Sequence, residues 1–155
     1  IGVNPVLLKA VQQTNDLQIK QIVQLIEKKL ISVKNKRITI LGLSFKENSD
    51  DIRESRSIEL IKILLRKNSK IIVHDPKAMK NAEHIFTNKI TYANSLSEAL
   101  QNSECVVIMT PWKVYTKLKS NDFQKMKKKL IIDTRRILSR KNLNVEYLAI
   151  GLGSN

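Results

Sequence analysis

From residue 37 onward the chain alternates short apolar runs with stretches of helical period. Arg37 to Leu43 (RITILGL), Lys70 to Val73 (KIIV), Lys89 to Tyr92 (KITY), Cys105 to Met109 (CVVIM) and Leu130 to Ile132 (LII) read as strands, and Tyr147 to Ile150 as a last short one. Several are apolar at nearly every position, which predicts burial on both faces. Between them, Ser57 to Lys67 sets Ile58, Ile61, Leu64 and Leu65 on one helical face, and Ser95 to Asn102 opens with a capping box, Ser95 and Glu98. Residues 113–128 are more polar and predict a weaker helix. Upstream, Leu7, Val11, Ile22, Leu25, Ile26 and Leu30 recur among glutamines and lysines, predicting one amphipathic helix over 5–31 that is opened by Pro5 after Asn4. At about 1.5 Å per residue it reaches on the order of 40 Å, longer than a compact domain needs, which suits a linking or dimerising element. The expected architecture is α/β: a doubly wound, mainly parallel sheet of five to six strands with helices on both faces, over residues 35–155, preceded by the long helix within 1–34.

Composition fits one such domain, since 42% of the 155 residues are apolar. No run of eighteen apolar residues occurs, and the opening IGVNPVLLKAVQQTND has neither a basic leader nor a small-residue cleavage site. The expectation is therefore no membrane span or membrane partner, no secretory signal, and a cytoplasmic setting. A first residue of isoleucine reads as a piece of a longer protein. The single cysteine, Cys105, allows no internal disulfide. Twenty-eight basic residues against 14 acidic give +14, which draws anions from a distance without specifying them. The densest run, Lys125 to Lys129 (KMKKK), is either a solvated face or an anion patch; few aromatics are interleaved to stack bases, so nucleic acid is not the expected partner.

The chemistry gathers at the strand ends, where a parallel sheet places its ligands. The first strand runs into GLSFKENSDD, the second into HDPKA, the fourth into TPW and the fifth into DTRR. Gly42 is the lone glycine after the first strand, so the G-x-G-x-x-G of a dinucleotide site is missing there, and Gly151-Leu152-Gly153 has no helix after it. Lys46 supplies a mobile cation, while Arg53 and Arg135 offer planar forks; phosphate is the ligand those groups suit. A purely structural role is also open, with Asp50, Asp51 and Glu54 neutralising Arg53 and Arg56 and capping the following helix. Neither His74 nor His84 stands in a cluster with metal-ligand spacing, so no metal site is expected. Cys105, inside CVVIM, reads as a small buried hydrophobe rather than a nucleophile.

GLSFKENSDDIRES, residues 42–55, resembles the G-L-x-F-K-x-x-[ST]-D-D-x-R-x-S signature of the nucleotide-sugar (UDP-glucose/GDP-mannose) dehydrogenases. Other matches follow in order: Asn15 and Gln18 with an N-x-x-Q of the family's central helix, His74-Asp75-Pro76 with an aromatic-Asp-Pro, Thr110-Pro111-Trp112 with T-x-W, and Asp133-Thr134-Arg135 with D-x-R. The resemblance implies a domain that holds the nucleotide part of a UDP-sugar, with Phe45, Lys46 and Arg135 at the substrate. It implies that Arg53 faces NAD across a cleft, with Asp50 and Asp51 orienting it. NAD itself would be held mainly by another domain, and the whole enzyme would be a homodimer that oxidises the C6 alcohol of UDP-glucose twice, to UDP-glucuronate. The family's cysteine motif, G-G-x-C-F-P-K-D, does not occur in these 155 residues, so no catalytic residue is expected here and the isolated chain is expected to be inactive. Trp112 is expected either to pack a domain junction or to touch ligand. Departures at Glu47, Arg56 and Pro111 leave the substrate open between UDP-glucose, GDP-mannose and UDP-N-acetyl sugars. A free-standing basic module that binds nucleotides or nucleic acid is the alternative of another class.

Overall fold

The computed structural model describes residues 6–150, with side chains for 17–150 apart from residue 142. The helix opening at Asn4 and Pro5, the Gly151-Leu152-Gly153 run, and the side chains of Leu7, Val11 and Asn15 lie outside the described residues. Six strands form one sheet: β1 (Arg37–Leu41), β2 (Lys70–His74), β3 (Thr91–Tyr92), β4 (Cys105–Ile108), β5 (Leu130–Asp133) and β6 (Glu146–Ala149). Every pairing is parallel, and the order across the sheet is β3-β2-β1-β4-β5-β6. The α/β expectation holds, and the sheet is wholly parallel.

Two-sided burial follows from alternation along the strands. Ile38, Ile40, Ile71, Val73, Cys105 and Val107 face one apolar cluster, and Leu41, Ile72, Val106, Ile108 and Ile131 face a second on the other side. The first cluster is covered by α1 (Val6–Leu30), α2 (Arg56–Arg66) and α3 (Met79–Phe86). Along α1 the buried positions Ile19, Ile22, Val23, Ile26 and Leu30 keep helical spacing, while Leu17 is exposed. Ser55 caps α2, and its hydroxyl accepts the Ser57 N–H at 3.3 Å. The second cluster is covered by α4 (Leu96–Leu100) and by Trp112, Tyr115, Leu118 and Phe123 from the segment before β5.

Three details differ from the sequence reading. Residues 113–128 form only single 3-10 turns at Tyr115–Lys117 and Ser120–Phe123, because their apolar side chains are spaced to plug gaps in the sheet's face rather than to line a stripe. Helix α3, which the sequence reading does not name, is only eight residues long, with Met79, Ala82 and Phe86 turned to the first cluster; it starts where Asp75 accepts the N–H groups of Lys77 and Ala78, each at 2.8 Å. At α4, Glu98 donates its N–H to Ser95 Oγ at 3.2 Å, but its carboxylate accepts the N–H of Asn94 at 2.7 Å, one residue earlier than in a regular capping box. Among the described residues, no helix is long and apolar enough to cross a membrane.

Candidate functional site

With this strand order, the connections run outward in opposite directions from β1 and β4, so the carboxyl ends of those two strands open a switch-point crevice. The loop after β1 begins at Gly42, whose φ is 95°. A Cβ at this position would stand 2.5 Å from Thr110 Cβ and 2.6 Å from Thr110 N, so the loops after β1 and β4 touch through a site only glycine can fill. Thr110 then donates its hydroxyl to Ser44 O at 2.8 Å, and Ser57 of α2 donates to Gly42 O at 2.7 Å.

Asp75, just past β2, fastens this junction. One carboxylate oxygen, Oδ2, accepts the N–H groups of Leu43 at 2.7 Å and Ser44 at 3.1 Å and the indole N–H of Trp112 at 3.0 Å. The other, Oδ1, holds its own turn through Lys77 and Ala78. A buried carboxylate is tolerable when its lone pairs are filled in this way. Trp112 therefore packs inside the domain, 6% exposed, with its N–H shared between Asp75 and Ser44 Oγ. Asp133, the last residue of β5, repeats the device, accepting the N–H groups of Arg135 at 3.0 Å and Leu138 at 2.9 Å and the Tyr147 hydroxyl at 3.0 Å.

The loop 42–55 is closed on itself by Phe45 N–H donating to Asp51 O at 2.7 Å. Its tip is held from outside by Asn81, which donates to Asp50 O at 2.8 Å, and by Lys77, which donates to Asn48 O at 3.3 Å. Asp51 takes Arg53 as a fork, with Nε at 3.0 Å and Nη2 at 2.7 Å, and also accepts its backbone N–H at 3.0 Å. The side-chain and backbone bonds from Arg53 hold the Asp51 carboxyl down at about 2, helped by the charge of Lys46. Asp51 thus orients Arg53, as the resemblance implies, and Asp50 contributes its carbonyl rather than its carboxylate.

Of the residues expected at the site, Phe45 and Arg53 come together on a hollow of about 360 Å³ shared with Asp51 and Glu54. Phe45 is 52% exposed at its lip. Lys46, also exposed, stands beside that hollow without lining it. Arg135 lies across the strand ends in a separate cleft of about 440 Å³, where Arg56 and Arg136 join it and Gln18 and Ile22 of α1 close one side. Its Nε donates to Met109 O at 2.7 Å, fixing the β5 loop to the end of β4. Arg136, which adopts a left-handed φ of 55°, forks onto Ile150 O at 3.0 and 2.8 Å. Sequence reading gave Arg56 and Arg136 no place at this cleft; the only signal was the doubled arginine of DTRR.

The remaining candidates are structural. His74 Nδ1 lies 3.1 Å from the Tyr115 hydroxyl, which donates to His74 O at 2.8 Å, and burial lowers the imidazole's pKa despite Asp75 beside it. Cys105 is fully buried on β4, and burial pushes its thiol far up, which removes it as a nucleophile. Among the described residues, no three His, Cys, Asp or Glu side chains come together as a metal site would require.

Residues 39–140 match the model of the UDP-glucose/GDP-mannose dehydrogenase family, UDP binding domain. The chain is 36% identical over 140 residues to the UDP-glucose 6-dehydrogenase of Haloferax volcanii, covering 90% of this chain and 32% of that protein. It is 33% identical over 149 residues to a UDP-glucose 6-dehydrogenase of Bacillus subtilis, covering 94% and 34%. Among solved structures, a UDP-glucose dehydrogenase from the archaeon Pyrobaculum islandicum superposes with a TM-score of 0.80 at 32% identity, over 90% of this chain and 31% of that one. The UDP-N-acetyl-mannosamine dehydrogenase of Staphylococcus aureus, at 22% identity and a TM-score of 0.77 over 95% of this chain and 34% of that one, shares the fold. The chain spans about a third of the length of each of these proteins. The chain belongs to the UDP-glucose/GDP-mannose dehydrogenase family and carries its UDP-binding domain.

Proposed function

We propose that this chain holds the nucleotide diphosphate of UDP-glucose for an NAD-dependent dehydrogenase that oxidises the sugar's C6 alcohol to the acid. The observation that carries the reading is that two cation-bearing loops, 42–55 and 133–136, leave the carboxyl ends of β1 and β5 on either side of β4, each anchored by a buried aspartate, with their hollows separate. Phe45 packs against the nucleotide or sugar, and Lys46 and Arg135 offset the diphosphate charge from either side of the crevice. Burying a diphosphate without such partners is costly.

NAD accepts the hydride when bound. Arg53, 86% exposed at its side chain and aimed by Asp51, suits one contact to a cofactor phosphate. The loop after β1 has Gly42 alone, so this chain gives the cofactor an edge and not a cradle. The nucleophilic cysteine and the main cofactor site belong to parts of the enzyme beyond these 155 residues, and α1 continues a central helix through which two subunits pair, with the domain itself beginning near residue 35. The working compartment is the cytoplasm.

The test is thermal unfolding of the full chain with UDP-glucose, GDP-mannose and UDP-N-acetylglucosamine. A rise in Tm that is largest for UDP-glucose supports the reading. Lys46→Ala and Arg135→Ala each weaken binding by roughly ten- to a hundredfold, as the loss of a charged hydrogen bond does. No shift with any of the three at millimolar ligand, or a larger shift with GDP-mannose, sinks the assignment to UDP-glucose.

A further inference from the structure

The edge of the sheet opposite the candidate site carries a dense share of the chain's positive charge. Residues 28–37, 66–70 and 125–129 hold twelve of the 28 basic residues and no acidic one. They lead into β1, β2 and β5, and backbone bonds join their loops into one surface: Asn35 N–H to Asn68 O and Lys70 N–H to Lys36 O, both 2.8 Å, and Lys127 N–H to Ser103 O at 2.9 Å, beside Glu104 N–H to Arg37 O at 2.8 Å. Lys128 reaches across to Lys29 O, tying the end of α1 to the same surface. Three carboxylates sit among them: Glu104 between Lys36 at 3.0 Å and Lys127 at 3.5 Å, Glu146 on Lys29 at 2.6 Å, and Glu27 on Lys67 at 2.8 Å. The excess of cations is large even after these pairs.

Basic residues in the last turns of α1 and α2 complement the helix dipoles, which is reason enough for Lys28, Lys29 and Arg66. Lys34, Lys70 and Lys125 lie in loops or at a strand start, are exposed, and serve no helix end. At the tip of the edge stands Ile31, 94% exposed, with φ at 67°. A β-branched residue in left-handed backbone just after a helix is strained where glycine would be at ease, and its side chain is given wholly to solvent. No aromatic side chain occurs in the three segments on which a nucleobase would stack.

We propose that this edge docks the protein on an anionic phospholipid surface, its lysines held at the headgroups and Ile31 inserted at their boundary with the acyl chains. Phosphate headgroups fit a broad field of lysines, and the apolar tip fits lipid and not duplex DNA, whose backbone offers nothing to an isoleucine. The expectation of no membrane partner rested on the lack of an apolar span; a peripheral contact needs none. The edge faces away from the crevice, so a docked protein keeps the nucleotide site open.

Vesicles of phosphatidylcholine, with and without phosphatidylglycerol, test this by co-sedimentation of the full chain, with duplex DNA as a parallel arm. The expected result is binding only to the acidic vesicles, abolished at about 1 M salt, where the Debye length falls to about 3 Å. Joint Lys34→Glu, Lys70→Glu and Lys125→Glu substitution weakens it by on the order of a hundredfold. Ile31→Gly weakens it by on the order of tenfold while its Tm does not fall, since glycine relaxes the backbone there. Equal binding to neutral vesicles, no binding to acidic ones, tighter binding to DNA than to vesicles, or an Ile31→Gly protein that binds vesicles unchanged each overturns the proposal.

Discussion

The indole N–H of Trp112, beyond β4, donates to the Asp75 carboxylate, beyond β2, at 3.0 Å, so the two strands that flank β1 are joined over its tip. The same carboxylate oxygen holds Leu43 and Ser44 at the root of the loop that carries Phe45, Lys46 and Arg53. Site geometry is thereby set by a buried acid that never needs to touch ligand.

Asp75→Ala leaves the buried N–H groups of Leu43, Ser44 and Ala78 without an acceptor and the Trp112 indole with Ser44 Oγ alone. Each unsatisfied group costs about 1–3 kcal/mol, so the loss of stability is at least roughly 3 kcal/mol in urea unfolding. UDP affinity falls with it, because the loop loses its anchor. A variant less than about 1 kcal/mol weaker than the parent shows that the hub does not hold the loop.

Gly42→Ala meets two obstacles together, the left-handed φ of 95° and the Thr110 backbone at 2.6 Å. Because a backbone atom is among the obstacles, Thr110→Ser does not rescue it. The expected destabilisation is about 2–4 kcal/mol, read by chemical denaturation of the single and double variants.

The Asp51–Arg53 fork has a signature in pH. Asp51 titrates at about 2, below its ordinary 3.8, so the ordered loop is favoured above pH 3.8 and loses that support as the pH falls toward 2. Carboxyl NMR of the native chain should place Asp51 there, and in Arg53→Gln it returns toward the ordinary range. A native value near 3.8 shows that the fork does not persist in solution.

Cys105 gives a test of the core. With the thiol fully buried and its ionisation suppressed by that burial, a soluble disulfide reagent leaves it unmodified in the native protein and labels it fully in denaturant. Labelling of the native protein faster than global unfolding contradicts the burial of β4.

Much of this was legible in the chain itself. Continuous apolar runs such as CVVIM mark strands covered on both faces, and the 3.6 period of Ile58, Ile61 and Leu64 marks α2, because burial patterns repeat along the sequence at the spacing of the element. Helix α3 and the 3-10 turns after Trp112 were not legible. The turns are held by a sheet face, which leaves no period in the local sequence, and α3, started by the Asp75 carboxylate just past β2, is so short that its period rests on Met79, Ala82 and Phe86 alone.

The order of residues by itself determined the α/β alternation, the apolar helix faces and the nature of the polar groups at each strand end, since these depend on side-chain chemistry and on spacing along one element. Only tertiary structure decided that Phe45 and Arg53 share a hollow while Arg135 lies in another with Arg56 and Arg136. It also decided that Asp75 and Trp112, 37 positions apart, meet over β1, and that the lysines of three distant segments form one edge. Such meetings depend on strand order and on crossovers that return each loop to the same side of the sheet, and no local propensity encodes them.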